Sequence, residues 1–414
     1  MNRASLKAVA VTVLCSSLAL AALPASAVEY RVTDLGALGD SDWITFATGL
    51  NSSGQVVGYS FDKFLDNTPN NYHAFVTGAA GQGITALGAL SGDQGSQARA
   101  INDAGQVVGF SARGTVNTAF ITGTTDRTLR PLDLTGTSTA NGINASGQVV
   151  GTANGKAYIT AANGGAVTML NTSAYGSDAE FSVATGVNNA GQVVGNLAVY
   201  WEQRGGPGIV TGPNGTNVQT IGGRNVAEDN VGRFSPLMRP RAINDRGQMV
   251  GSYDENGSSA FLKNADGSDI ALDVLLAPHF VPGTVGPSGM NRPNTYTYAD
   301  DVNNRGQVVG QISVRSVSGT GDYAFITGED GTNLLEVDSL SFVNLSAARD
   351  FHFTSATGIN DAGDFVANAS NGHAYFVSVV PEPASLMLLL AGLGVVGWAG
   401  RKGAAVRVAN PAQS

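Results

Sequence analysis

The chain has one cysteine, Cys15, among 414 residues, and it lies in the leading apolar segment. The rest of the chain therefore has no disulfide, no thiolate metal site and no cysteine nucleophile. Histidine is scarce as well: His73, His279, His352 and His373 are the four. None has a His-x-x-x-His or Glu-x-x-His spacing, which argues against a zinc or iron centre. Charged residues make up only 13% of the chain, and bases are the rarer sign. Between residues 28 and 380 there are 31 acids against 18 bases, a balance that disfavours nucleic acid and anionic lipid headgroups as partners. No Gly-rich stretch opens a helix after a strand, so the 55 glycines mark turns and bulges rather than a phosphate cradle. No Gly-x-Ser-x-Gly phrase supports a seryl hydrolase.

What is abundant is one phrase, Asn-x-x-Gly followed by a pair of valines, written seven times. Its copies are GLNSSGQVVG (49–58), AINDAGQVVG (100–109), GINASGQVVG (142–151), GVNNAGQVVG (186–195), AINDRGQMVG (242–251), DVNNRGQVVG (301–310) and GINDAGDFVA (358–367). Asn opens a type I turn because its side chain bonds nearby backbone, and Gly in fourth place tolerates positive φ. Each copy is thus a β-hairpin. The turns run from Asn51 to Gly54, Asn102 to Gly105, Asn144 to Gly147, Asn188 to Gly191, Asn244 to Gly247, Asn303 to Gly306 and Asn360 to Gly363. The strand before the turn carries Ala47, Ala98, Ala140, Ala184, Ala299 and Ala356 four residues ahead of the Asn, with Pro240 there in the fifth copy. After the turn, the valine pair suits a strand buried on both faces.

Two more strands recur in step. An Ala-aromatic strand appears at Ala74-Phe75, Ala119-Phe120, Ala157-Tyr158, Ala260-Phe261, Ala324-Phe325 and Ala374-Tyr375, with Val199-Tyr200-Trp201 as the loose seventh member. A leucine strand follows at 87–90, 132–134, 169–170, 218–221, 272–276 and 334–340, and its seventh copy, Leu35–Leu38, opens the mature chain. The array therefore starts on a leucine strand and ends on an aromatic strand, 373–380, that lacks its follower. A closed ring needs that phase shift. Seven repeats of four strands, spaced 51, 42, 44, 56, 59 and 57 residues apart, predict a seven-bladed all-β propeller over residues 28–380. The rival is an open β-solenoid, which a single hairpin per repeat also permits.

The two ends read as addresses. Arg3 and Lys7, an apolar run over 8–23, and Ala25-Ser26-Ala27 predict an export signal over 1–27, with cleavage governed by Ala25 and Ala27. At the other end Pro381-Glu382-Pro383 precedes an apolar stretch, Ala384 to Gly400, and then Arg401-Lys402. Seventeen helical residues span about 25 Å, and the basic pair closes the gap to a bilayer by snorkelling. A transmembrane helix over 384–400 and a cytoplasmic tail over 403–414 are expected. Pro-Glu-Pro, one helix and a basic cluster, over 381–402, resemble the PEP-CTERM sorting tail. The resemblance implies handling by the Sec machinery and an exosortase, a transient membrane anchor, and sorting to the surface or extracellular matrix of a Gram-negative bacterium that secretes exopolysaccharide. The repeats are similar to the HAF extracellular repeat, named for the step spelled by His73-Ala74-Phe75 and nearly by His373-Ala374-Tyr375. That family has no established activity.

Chemistry is thin. Alternating strand direction puts the tight turns on one face and the connections of variable length on the other, where binding sites usually sit. The longest are 222–240 and 277–300, then 202–217, 341–354, 311–322 and 60–72. Phe234, Phe280, Tyr296 and Tyr298 are the binding-face aromatics, with rings suited to sugar faces. No catalytic residue, metal ligand or cofactor is predicted. Asn264–Asp269 and Glu329-Asp330-Gly331 have a faint likeness to calcium loops without the alternating acids or closing Glu. The expected role is binding or structural, towards exopolysaccharide or another surface protein. The alternative is a glycoside hydrolase or lyase, for which the acidic pairs Glu228-Asp229, Asp254-Glu255, Asp300-Asp301 and Glu329-Asp330 are the candidates.

Overall fold

A computed structural model describes residues 28–39, 43–65, 69–175, 181–198, 206–222, 237–254, 258–272, 294–316, 319–346 and 348–381. The predicted export segment with Ala25 and Ala27, Glu382 and Pro383, the apolar stretch 384–400, Arg401, Lys402, Phe234 and Phe280 lie outside them. Among the described residues no helix is long and apolar enough to cross a membrane.

The described chain is a seven-bladed propeller. The first blade shows the pattern: Trp43–Leu50, Val56–Asp62, His73–Val76 and Thr85–Ala86 run antiparallel from the axis outward. Further inner strands are Gly95–Ile101, Ser138–Ile143, Phe181–Val187, Met238–Ile243, Asn294–Val302 and Phe353–Ile359. Alternation sends one side of each strand into the seam with the next blade. There Val56, Phe75, Phe120, Tyr158, Phe261, Phe325 and Phe365 are fully buried.

The seven tight turns fall where the repeated phrase puts them. Each closes on an N–H that donates to the carbonyl of the turn asparagine: Gly54 to Asn51, Gly105 to Asn102, Gly147 to Asn144, Gly191 to Asn188, Gly247 to Asn244, Gly306 to Asn303 and Gly363 to Asn360, at 2.9–3.0 Å. All seven glycines have positive φ, from +71° at Gly54 to +88° at Gly363, the region that a side chain disfavours.

Closure uses the two ends. Glu29–Asp34 lies antiparallel to Ala374–Val380, in register from Glu29 opposite Val380 to Asp34 opposite Tyr375. The open solenoid is thereby set aside. Ser341–Phe342 adds a short parallel fifth strand outside it, and Asn344 clasps Val32 as a second backbone would, Nδ2 donating to the carbonyl at 2.7 Å and Oδ1 accepting the N–H at 2.9 Å. His373 Nδ1 meets Asp34 Oδ2 at 2.8 Å across the same seam.

Four expectations need correction. Gln219–Ile221 and Leu335–Glu336 lie within their leucine phrases, but the other outer strands begin before theirs. Leu87, Leu132, Leu170 and Leu35 instead form the last rung, each N–H donating to the third-strand carbonyl of Ala74, Ala119, Ala157 or Ala374. In the fourth blade the third strand is Gly208–Val210, with Ile209 in the aromatic place. That strand interrupts the expected loop 202–217 and takes the role expected of Val199-Tyr200-Trp201, which lies outside the described residues. Tyr296 and Tyr298 are not in a loop but on the inner strand Asn294–Val302. Residues 311–316 and 319–322 lie on the paired strands Val308–Ser316 and Gly319–Ile326.

Every inner strand also carries a bulge that the sequence reading missed. The ladder slips between Ala47 and Gly49, and likewise at 98/100, 140/142, 184/186, 240/242, 299/301 and 356/358. The slip presses an inner-strand carbonyl onto the glycine that ends each QVVG. At Gly151 an added methyl would overlap the oxygen of Thr139, and Gly58, Gly109, Gly195, Gly251 and Gly310 are alike. The seventh copy has Ala367 instead, and its inner strand takes a second slip, between Phe353 and Ser355.

Candidate functional site: the axial channel

The turn asparagines do more than turn. In the first hairpin Asn51 Oδ1 accepts the N–H of Ser53 and of Gln55. Nδ2 reaches out of the blade to the carbonyl of Asn102, and the step repeats from Asn102 to Asn144, Asn188, Asn244, Asn303, Asn360 and back to Asn51, at 2.8–3.3 Å. Seven buried amides thus form a closed hydrogen-bonded hoop around the axis. The residues that follow them rim this mouth, and Asp103, Asn189, Asp245, Asn304 and Asp361 each accept a neighbouring blade's backbone N–H. Deeper, Leu50, Ile101, Ile143, Val187, Ile243, Val302 and Ile359 form an apolar collar lining this mouth.

Beyond the collar, towards the loop face, the channel widens into a cavity of about 740 Å³, within the range of small-molecule sites. Its wall carries the seven bulged residues: Thr48, Arg99, Asn141, Thr185, Arg241, Asp300 and Thr357. A bulged residue is released from the ladder, so its side chain is free for other work. The small polar ones stitch blades together: Thr48 Oγ1 donates to the Ala98 carbonyl, Asn141 Nδ2 to Ala184, Thr185 to Pro240 and Thr357 to Ala47. Arg241 Nε instead pairs with Asp300 at 3.1 Å, and Arg99 Nε donates to Gln97 at 3.0 Å with its guanidinium 5.3 Å from the Phe110 ring.

The charge on this wall is held at a cost. Arg99 is open to channel solvent, yet its guanidinium lies deep within the ring. Desolvation, and then repulsion from Arg241, pull its pKa below the ordinary value, against an opposing effect of Tyr59. Burial raises the Asp300 carboxyl against the pull of Arg241. Asp301 stands where other blades have Gly or Ala. Burial pushes its pKa up to about 7, although its oxygens accept the N–H groups of Ile359 and Val302. Two further groups are left over: Asn141 Oδ1 and Asn196 Oδ1 are buried without a partner, and both residues line the cavity.

Of the predicted binding-face aromatics, Tyr298 lines the cavity and Tyr296 lies beneath Arg315, 5.3 Å from its guanidinium. The sequence reading missed an aromatic cluster on the first blade. Phe46 stacks on Tyr59 at 5.5 Å, Tyr59 contacts Tyr72 at 4.5 Å, and Phe61 completes the group. The signal was present in Tyr59-Ser60-Phe61, an alternation that no other second strand has. Of the acidic pairs, Glu228-Asp229 and Glu255 lie outside the described residues. Asp300 and Asp301 are adjacent on one strand, and each has its own partner, while Asp330 and Glu329 pair with Arg246 and Arg305. Asn264–Asp269 is the turn to an outer strand, where Asp266 accepts from Ser268. Among the described residues no three His, Cys, Asp or Glu side chains gather to hold a metal.

Residues 379–403 match the model of the PEP-CTERM protein-sorting motif, the tail recognised by exosortase that marks a secreted, surface-sorted protein. No curated protein matches the chain in sequence. Similar solved structures include a catalytically inactive virginiamycin B lyase from Staphylococcus aureus with quinupristin, at 9% identity and TM-score 0.50, covering 85% of this chain and all of that one. A GH74 xyloglucanase from Xanthomonas campestris matches at 14% identity and TM-score 0.50, over 83% of this chain and 53% of its own. At such identities the likeness is one of fold. The chain is therefore a surface-sorted protein built on a seven-bladed β-propeller.

Proposed function

We propose that this protein is a non-enzymatic glycan-binding component of the cell surface or extracellular matrix of a Gram-negative bacterium, and that it holds exopolysaccharide through the loop-face mouth of its axial channel. The observation that carries this reading is the cavity of about 740 Å³ that combines guanidinium donors, amide acceptors and Tyr59 and Tyr298 in one wall. Sugars are recognised by such a mixture of flat aromatic faces and hydroxyl partners. The likeness of the repeats to the HAF extracellular repeat and the sorting motif agree with an exported setting. For the catalytic alternative, Asp300 and Asp301 are neighbours on one strand rather than opposed across a cleft. Retention of the intact chain by polysaccharide in affinity electrophoresis, without release of reducing ends, is the expected result. Released sugar, or an unsaturated product absorbing in the ultraviolet, would replace this reading with a hydrolase or a lyase.

A further inference from the structure

Four observations on the channel wall converge on the chemistry of the ligand. First, the cavity is lined by Arg99, Arg239 and Arg241 against Asp300 and Asp301, a local excess of bases, although residues 28–380 as a whole carry 31 acids against 18 bases. A concave site of the minority sign focuses field on its own mouth and raises the local concentration of the opposite charge. Second, Arg99 and Arg241 come from the second and fifth blades and line the same cavity, and the charge of Arg241 is among the effects that lower the pKa of Arg99. Two cations in one walled cavity repel unless an anion lies between them.

Third, Asp300 already engages Arg241 through Nε, which leaves the terminal amino groups of that guanidinium as donors. Among the described residues no carboxylate pairs with Arg99; its contacts are the amide of Gln97 and the ring of Phe110. Fourth, the buried acceptors Asn141 Oδ1 and Asn196 Oδ1 lack a donor, and hydroxyl groups would supply one. Tyr59 belongs both to this wall and to the stacked aromatics of the first blade, so the channel mouth continues into an aromatic strip.

We propose that the loop-face mouth is an acidic-sugar site, in which Arg99 and Arg241 grip the carboxylate of a uronate residue, Asn141 and Asn196 accept from its hydroxyls, and the aromatic strip carries the neighbouring sugars. The inference rests on the glycan-binding reading and narrows it to one ligand class. Guanidinium suits this task because its planar fork matches a carboxylate.

The test compares polygalacturonate with the same polymer fully methyl-esterified, using the intact chain in affinity electrophoresis and calorimetry, with dextran and dextran sulfate alongside. Polygalacturonate should bind about tenfold or more tightly than its ester, since hydrogen bonds to charged groups are the strong ones, and its binding should weaken with salt. Arg99→Gln should reduce it by a similar factor. Arg241→Gln is avoided because it would strand Asp300 without a partner. Asn141→Asp places a carboxylate beside the arginines without removing either, and should cost polygalacturonate a comparable factor while sparing dextran. Equal binding of ester and acid would overturn the carboxylate inference and leave the glycan reading in place. Preference for dextran sulfate over polygalacturonate would replace the uronate with a sulfate ester. Failure of the intact chain to retain any of the four polymers would remove the glycan reading itself, and this inference with it.

Discussion

The two mouths of one channel differ in how far they obey the sevenfold repeat. At the turn mouth the same residue type recurs in every blade, and Asn51, Asn102, Asn144, Asn188, Asn244, Asn303 and Asn360 close a ring in which each amide serves the next blade. At the loop mouth the equivalent bulged positions diverge to Thr, Arg, Asn, Thr, Arg, Asp and Thr. Repeated positions hold neighbouring blades together, because every interface of a ring poses the same problem. Positions released from the ladder by the bulge are free to differ: Thr48, Asn141, Thr185 and Thr357 still tie blade to blade, while Arg99, Arg241 and Asp300 bring charge to the wall. Regularity marks the scaffold, and departure from it marks the site.

The largest test of this contrast is to open the ring. Deleting residues 28–38 removes the strand that pairs with Ala374–Val380, together with buried Tyr30, Val32 and Leu35. Each buried side chain of this kind is worth about 1.5–3 kcal/mol, against a total stability on the order of 5–15 kcal/mol for a domain. The bare edge left behind is also prone to aggregate. Loss of cooperative unfolding in calorimetry is expected. A melting temperature close to that of the parent would show that closure is dispensable and that the turn-mouth hoop alone holds the blades.

Next comes the glycine that the bulge imposes. Gly151→Ala drives a methyl into the Thr139 carbonyl, where neighbouring strands cannot separate without breaking the ladder. Overpacking of this kind costs about 1–3 kcal/mol, and backbone contact puts the expectation at the upper end. The reverse change, Ala367→Gly, meets the doubly slipped strand of the seventh blade and should cost only about 0.5–1 kcal/mol. Similar chemical-denaturation midpoints for the two variants would mean that the slip is not what demands glycine.

The hoop and the bulge also show what a sequence can and cannot disclose. Asn-x-x-Gly was legible because a turn is local: Asn and Gly meet the geometry within four residues. Closure was legible from phase alone, since the array opens on one strand type and ends lacking it. The reach of Asn51 to Asn102 was not, because the partner lies 51 residues away and the side chain gives no sign of it. Nor was the bulge, whose extra residue is Thr48 in one blade and Arg99 in the next. The fourth blade misled because Val199-Tyr200-Trp201 imitates a strand whose true occupant, Gly208–Val210, lacks Ala and an aromatic. Tyr296-Thr297-Tyr298-Ala299 alternates as a strand should, yet the length of the segment disguised it as a loop.

Asp301 allows a pH test at the loop mouth. Its carboxyl titrates near 7 in the folded chain and near 3.9 when unfolded, so the proton is held more tightly by the native state. Stability from this group is therefore gained as pH falls through about 7, is complete near the unfolded value, and is lost again above neutrality. Between pH 8 and pH 5 the gain is about 2–3 kcal/mol. Asp301→Asn should remove that part of the pH dependence while leaving the contribution of the other acids. Parallel stability profiles for parent and variant would show that Asp301 is ionised in the folded protein.

The sharpest comparison uses two asparagines three residues apart in one blade. Asn144, at the turn mouth, accepts the Gln148 N–H and donates to Gln148 Oε1 and to the Asn188 carbonyl. Asn144→Ala leaves those buried groups unpaired, at a cost of about 1–3 kcal/mol. Asn141, at the loop mouth, makes one bond, to the Ala184 carbonyl, and carries an acceptor that already lacks a partner. Asn141→Ala gives up that bond but also removes the orphaned oxygen, so the two effects oppose and the net cost should stay under about 1 kcal/mol. Ligand affinity should move the other way, falling for Asn141→Ala and holding for Asn144→Ala at temperatures where both are folded. If unfolding midpoints and polygalacturonate affinity fell together in both variants, the division between a scaffold mouth and a binding mouth would be wrong.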